Sequence, residues 1–208
     1  MSNVIASLLL SKGFIHEFTV YDKNGNVVRR GRFYSNSWNK NFTKLQRVLL
    51  CNTTEELVAT DGSTTHSITR DYLDDIDVKA PEGDSRYGIV LGEGWSSPTI
   101  NSYFVTVPIS HKDTKLYYYD TSVDTRLNVA DTNKRYFTIY RHFENRNTSS
   151  IYVREVALAV LIPVDGLFFT GLAYDSKQSW VLRGIDVEDV EIKPGETIKW
   201  SVMPLIET

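Results

Sequence analysis

The stretch Lys193-Pro-Gly-Glu-Thr-Ile-Lys-Trp-Ser-Val-Met203 decides the fold class. Pro194 and Gly195 mark a turn, and the residues after it alternate. Ile198, Trp200 and Val202 fall on one side, and Thr197, Lys199 and Ser201 on the other. A period of two sends successive side chains to opposite faces of an extended strand, so one face is apolar and meets a core. Upstream, Arg135–Phe143 alternates in the same way, with Phe137, Ile139 and Phe143 opposed to Tyr136, Thr138, Tyr140 and His142. The polar turn Glu144–Ser150 leads into Ile151–Ile162. That run is alternating at first and apolar on both faces by Ala157-Leu-Ala-Val-Leu-Ile162, the pattern of a central strand covered on both sides.

Further strands are expected around this centre. Phe168-Phe169 and Trp180-Val-Leu182 open short ones, Tyr87–Leu91 is closed by Gly92-Glu-Gly94, and Lys115–Tyr119 is short and aromatic. Thr99–Ile109 is a β-rich run whose end Pro108 confines to an edge or a terminus. At the N-terminal side, Phe14–Tyr21 and Val27–Tyr34 flank Asp22–Asn26, where Asn24-Gly25 offers the positive φ angles of a tight hairpin. In the first strand Phe14, Glu17 and Thr19 interleave with Ile15, Phe18 and Val20, and in the second Arg29, Arg30 and Arg32 mark a solvated face. One amphipathic helix is expected over residues 38–51. Trp38, Phe42, Leu45 and Leu49 recur at helical spacing, Ser35–Ser37 supply caps, Asn52 stops it, and Cys51 is read as a small buried hydrophobe at its end. Residues 53–85 read as polar and irregular. About eight short strands separated by turn signals predict a mainly β protein, an antiparallel β-sandwich of jelly-roll-like or immunoglobulin-like type with one short amphipathic helix. It is read as a single domain over residues 1–208, and any subdivision falls near 79–86.

Composition bounds the function. Of 208 residues, 41% are hydrophobic and 24% charged, enough for a core, and the net charge is −3. No basic run exceeds Arg29-Arg30, so no nucleic-acid partner is expected. Val4–Leu10 lacks a basic leader and is followed by Lys12, which argues against a signal peptide, and no apolar window approaches the ~20 residues of a membrane span. With one cysteine, there is neither an intrachain disulfide nor a cysteine-rich zinc site.

The reactive constellations are weak. His16, His66, His111 and His142 are scattered, and the glycines of 88–94 precede a strand, not a phosphate-binding helix. Asp71, Asp74, Asp75 and Asp77 form an acidic cluster. It could hold a hard cation, but it lacks the spacing and central glycine of a calcium loop, and a solvated loop is its ordinary reading. Trp95, Trp180, Trp200 and Tyr117–Tyr119 could stack on sugar rings. Trp200, on an inward face, reads as core, and Trp95, in a loop, as the exposed one. No catalytic, cofactor-binding or metal-ligating residue is assigned, and no cofactor is expected.

Three segments carry a resemblance. Tyr87–Gly94 is followed by Ser97-Pro-Thr-Ile-Asn101. Tyr136–Asn145, a polar turn and Ser150–Leu158 make a second. Val181–Val187, then Val190-Glu-Ile-Lys-Pro-Gly-Glu-Thr-Ile-Lys-Trp-Ser-Val202, make a third. In this order, over about a third of the chain, they resemble small β-rich virion structural proteins of tailed phages and related viruses. The sequence departs from that pattern at Ala157, where glycine is usual, and at Gly184, which parts Arg183 from Asp186. The resemblance implies a virion component of capsid, neck or tail, without catalytic residues, whose partners are copies of itself and other virion proteins. The alternative expectation is a glycan- or receptor-binding β-sandwich, and an enzyme stands third.

Overall fold

The computed structural model describes residues 13–207, except 36, 98, 113–114, 132–133, 165 and 178–188. The described strands are β1 (Gly13–Tyr21), β2 (Val27–Ser35), β3 (Glu55–Val58), β4 (Thr65–Ile68), β5 (Gly88–Gly92) and β6 (Leu116–Asp131). They continue with β7 (Lys134–Asn145), β8 (Ile151–Val153), β9 (Glu155–Ile162), β10 (Phe168–Ser176), β11 (Val190–Ile192) and β12 (Thr197–Glu207). One α-helix, α1, spans Lys40–Cys51, and a 3-10 turn spans Arg70–Asp74. A five-stranded sheet in the order β2-β1-β12-β7-β6 and a three-stranded sheet in the order β10-β9-β5 share the main core, with β11-β8 and β3-β4 as two-stranded additions. All the ladders are antiparallel. The protein is a mainly β, antiparallel sandwich, with one α-helix among the described residues.

The alternating segments fold as their period dictates. Ile198, Trp200 and Val202 point inward and are fully buried, as are Ile139 and Phe143 on the neighbouring strand. Trp200 stacks on Phe18, with ring centroids 5.4 Å apart. Its indole N–H donates to Nδ1 of His16 at 3.1 Å, and the same imidazole lies 3.8 Å from the Asp175 carboxylate on β10, so a polar link crosses between the sheets. The inward set of β1 is Phe14, His16, Phe18 and Val20. Ile15, Glu17 and Thr19 take the other face. The expected grouping of these residues mixed the two faces.

The β1–β2 turn differs in type from the expectation. Asp22 accepts from Gly25 N at 2.9 Å and donates to Asn26 O at 2.9 Å, and Gly25 alone has positive φ, at 83°. This is a three-residue loop closed by a left-handed glycine, not a two-residue turn. The Asp22 carboxylate accepts from the backbone N–H of Asn24 and Asn26 and fixes the loop.

Helix α1 starts later than expected. Its cap is Asn39, whose side-chain oxygen accepts from Phe42 N at 3.2 Å while its amide donates to Gly171 O at 2.9 Å. Phe42, Leu45 and Val48 are buried, Trp38 stacks on Phe42 at 3.9 Å, and Asn52 ends the helix with φ 53°. Cys51 is exposed, not buried, because it follows the last covered turn.

Residues 53–85 are more ordered than their polarity predicts. Asn41, buried in α1, exchanges hydrogen bonds with Val58 N and O and so pins the β3–β4 hairpin to the helix. Leu57, Ile68, Leu73, Ile76 and Val78 enter the main core singly. That core draws on residues from both sides of 79–86.

The main surprise of the inward face is Arg141, fully buried on β7. A guanidinium has five N–H donors in a fixed fork. Here five backbone carbonyls meet them: Tyr119 O at 2.7 Å, Tyr87 O at 3.1 Å, Ile89 O at 3.3 Å, Pro81 O at 3.1 Å and Asp84 O at 2.6 Å. The Tyr118 ring lies 4.7 Å from its centre. Burial pushes the Arg141 pKa down to about 10, so the group stays cationic at neutral pH. Arg141→Met keeps bulk but leaves carbonyls without donors, at about 1–3 kcal/mol for each that water cannot reach. Arg141→Lys keeps charge without the fork. Both should lower the midpoint of urea unfolding strongly, with Lys rescuing little.

Candidate interaction surface

The three-stranded sheet is apolar on its outer face as well. Val90, Ala157 and Tyr174 form a second buried cluster there with Val105, and Ala80, Tyr87 and Ala159 a third. Part of the cover is the segment 93–111, expected to be a strand over Thr99–Ile109. Among the described residues it makes only two isolated bridges, Gly92 to Pro108 and His111 to Leu116. The reason is Glu155. This carboxylate, fully buried at the start of β9, accepts from Thr106 N at 2.9 Å and Val107 N at 3.2 Å, and also from the Thr106 and Tyr174 hydroxyls at 2.5 Å. Backbone amides that a ladder would pair go to a side chain instead. Burial, then the bond to Glu155, pushes the Tyr174 pKa upward, so the phenol keeps its proton and donates it. The cover presses close. A Cβ on Gly171 would stand 1.5 Å from Tyr103 O, and one on Gly94 would stand 2.6 Å from the Glu155 carboxyl carbon.

The sequence-predicted candidates disperse. Trp95 is 53% exposed, with the Lys177 ammonium 5.3 Å from its ring centre. Lys177 and Arg154 each bind one oxygen of Asp189. Of the Tyr117–Tyr119 run, Tyr118 is buried and donates to Ile109 O, whereas the Tyr117 ring is covered by Arg146 at 3.5 Å, so no single aromatic platform forms. Trp200 is core, and Trp180 lies outside the described residues, as does the Val181–Val187 part of the third motif. In the acidic segment Leu73 and Ile76 point inward while Asp71, Asp74 and Asp75 are exposed. Among the described residues, no three His, Cys, Asp or Glu side chains gather as a metal site. None of the described helices is long and apolar enough to cross a membrane.

What the structure does assemble is a surface. The outward face of the five-stranded sheet carries cross-strand rows: Arg30, Thr19, Lys199 and His142 in one, and Arg32, Glu17, Ser201 and Tyr140 in the next. Ser201 is buried, and the others are partly or fully exposed. Lys199 lies over the Tyr140 ring at 4.3 Å. Burial, with Lys199 nearby, holds the His142 pKa below its ordinary 6.5. The signal for this surface was present as the polar half of each alternating strand. Which polar halves would adjoin was not, because sheet order is not written in the period.

Comparisons of the chain with family models, curated proteins and solved structures find no match in any of the three.

Two predictions follow from these side chains. Replacing Glu155 by Gln turns two of its acceptor sites into donors facing donors. It should cost about 1–3 kcal/mol and open residues 95–109 to limited proteolysis, read by mass spectrometry of the first cleavage. For His142, the unfolded chain takes up the proton first as pH falls. Its contribution to stability is complete above 6.5 and is lost as pH drops through the depressed folded value. Between about pH 7.5 and pH 5, which bracket the free imidazole value, the fall in thermal midpoint should be smaller for His142→Gln than for the parent.

Proposed function

We propose that this chain is a non-catalytic virion structural or assembly protein, acting through contacts with copies of itself and with other virion proteins. The observation that carries the reading is the outward face of the five-stranded sheet, built of arginine, lysine and tyrosine side chains held at fixed spacing by rigid strands. Arginine and tyrosine are the residues that dominate the energetics of protein contacts. The buried ionic groups support a structural role, since Arg141 and Glu155 are committed to backbone carbonyls and amides. The motif resemblance supports it too, because the described parts of its second and third segments fall on β7 and β12 of the five-stranded sheet, β9 of the three-stranded sheet and the β8–β11 pair. A glycan-binding reading has Trp95 but lacks a second exposed ring to pair with it in the tyrosine run.

Light scattering on the eluting peak of a size-exclusion column should give a mass above that of the 23.8 kDa chain, rising with loading concentration. Peptides of the chain should also be found in density-gradient-purified particles from its source. A strict monomer at every concentration, together with absence from particles, would refute the proposal.

A further inference from the structure

Among the described residues, the five-stranded sheet ends in two edges of opposite character. At one edge β2 carries Arg29, Arg30 and Arg32 and no acidic residue. Three of the nine exposed large hydrophobic residues among those described, Val27, Val28 and Tyr34, also lie on this strand. Such a strand is ordinarily blunted or covered, since an edge is a template for another chain. At the other edge β6 carries Asp120 and Asp124, with Glu82 beside it, its backbone N–H bonded to Asp120. One guanidinium, Arg126, sits among them and already binds Asp124 at 2.6 Å. The start of β6 is occupied on its outer side, where Thr121 N donates to Ala80 O and Gly83 N to Tyr118 O. Among the described residues, the stretch that can take a new partner therefore begins at Ser122.

We infer that copies of this chain associate head to tail, the β2 edge of one against the β6 edge of the next from Ser122 onward, so that the sheet continues from chain to chain. The inference rests on the assembly reading and names the partner and the edges. Residue parity fits it. Arg30 and Arg32 project from the same sheet face as Thr19 and Glu17, and Ser122 and Asp124 from the same face as Tyr140 and Thr138. Ser201 is paired with both Glu17 and Tyr140, so these are one face. In a continued sheet the arginines of one copy stand beside Asp124 of the next, at the spacing where opposite charges stabilise and like charges repel. Every neighbouring pair in the order is antiparallel, so the first and fifth strands run the same way and the junction is parallel. Two-fold pairing of β2 with β2 would set arginines against arginines, and β6 with β6 would offer Asp124 only its own copy or Arg126, which already binds the Asp124 of its own chain. Charge therefore opposes the β2–β2 dimer, gives the β6–β6 dimer no unpaired opposite charge to use, and favours the heterologous contact, which closes into a ring or runs on as a filament.

The test uses the full chain and two variants, Arg30→Glu/Arg32→Glu and Asp124→Lys, each checked for native circular dichroism and examined by sedimentation velocity. Each variant alone should associate at least about tenfold more weakly than the parent. An equimolar mixture should regain assembly with the two copies alternating, because both kinds of junction then join opposite charges. Weakening by each variant alone, followed by rescue on mixing, marks the head-to-tail contact, since a β2–β2 contact would be left intact by Asp124→Lys and a β6–β6 contact by Arg30→Glu/Arg32→Glu. A parent that assembles while neither reversal weakens it, or that forms only a closed dimer, overturns the inference and leaves the assembly reading standing. A parent that is monomeric throughout overturns the inference, and removes the assembly reading as well if the chain is also absent from purified particles.

Discussion

Strand β9 is apolar on both faces, and water must be kept from each. On the inner side the five-stranded sheet supplies Ile139, Phe143, Trp200 and Val202. On the outer side the chain supplies a cover that is not a sheet, and a non-sheet backbone laid over apolar surface has amides and carbonyls with no ladder to join. Two buried ions of opposite sign answer this. Arg141 collects the carbonyls of Pro81, Asp84, Tyr87 and Ile89 where the chain enters β5, and Glu155 collects the amides of Thr106 and Val107 where it comes back. Strand β5 lies between these anchors and pairs with β9 along its length. Isolated charges in such places would be severely destabilising, and here each is matched by hydrogen bonds to the group it holds.

This division explains what could be read from the sequence. The strands with an uninterrupted period of two, β7 and β12, and the doubly apolar β9 were legible because their neighbours in the fold are other regular strands. The same holds for the β1–β2 hairpin, apart from its turn type and the side assigned to each residue. The segment 99–109 has equal β propensity but lost its ladder to a carboxylate 49 residues away from Thr106, and no local pattern announces such a competitor. Glu155 itself was visible only as one polar residue in an alternating run. Arg141 holds an inward position of β7, and its charge hides it from a pattern that counts only apolar side chains as inward. The β3–β4 hairpin was missed for a related reason: its apolar residues enter the core one at a time, below the length at which a period can be counted.

The asymmetry between the sheets also locates the surface available to partners. Three strands need a cover on their outer face because their outward residues are alanine, valine and tyrosine. Five strands with threonine, lysine, arginine and histidine at the outward positions do not, and among the described residues that face stays largely accessible, Ser201, Met203, Leu205 and Gly13 being buried exceptions. The candidate surface is thus the polar half of the same alternation that builds the core. Rigidity comes with it, since a face made of strands holds its side chains in place before any partner arrives and loses less conformational entropy on association than a loop would.

Edge composition extends the argument from the face to its ends. A sheet whose two free edges carried the same charge would be protected from its own copies in every pairing. A sheet with one basic and one acidic edge is protected only from like meeting like. The antiparallel order of an odd number of strands then makes the two edges run in one direction, so the pairing that charge allows is also one that a simple rotation between copies can repeat. Topology and electrostatics, which arise from different features of the sequence, restrict association to the same geometry.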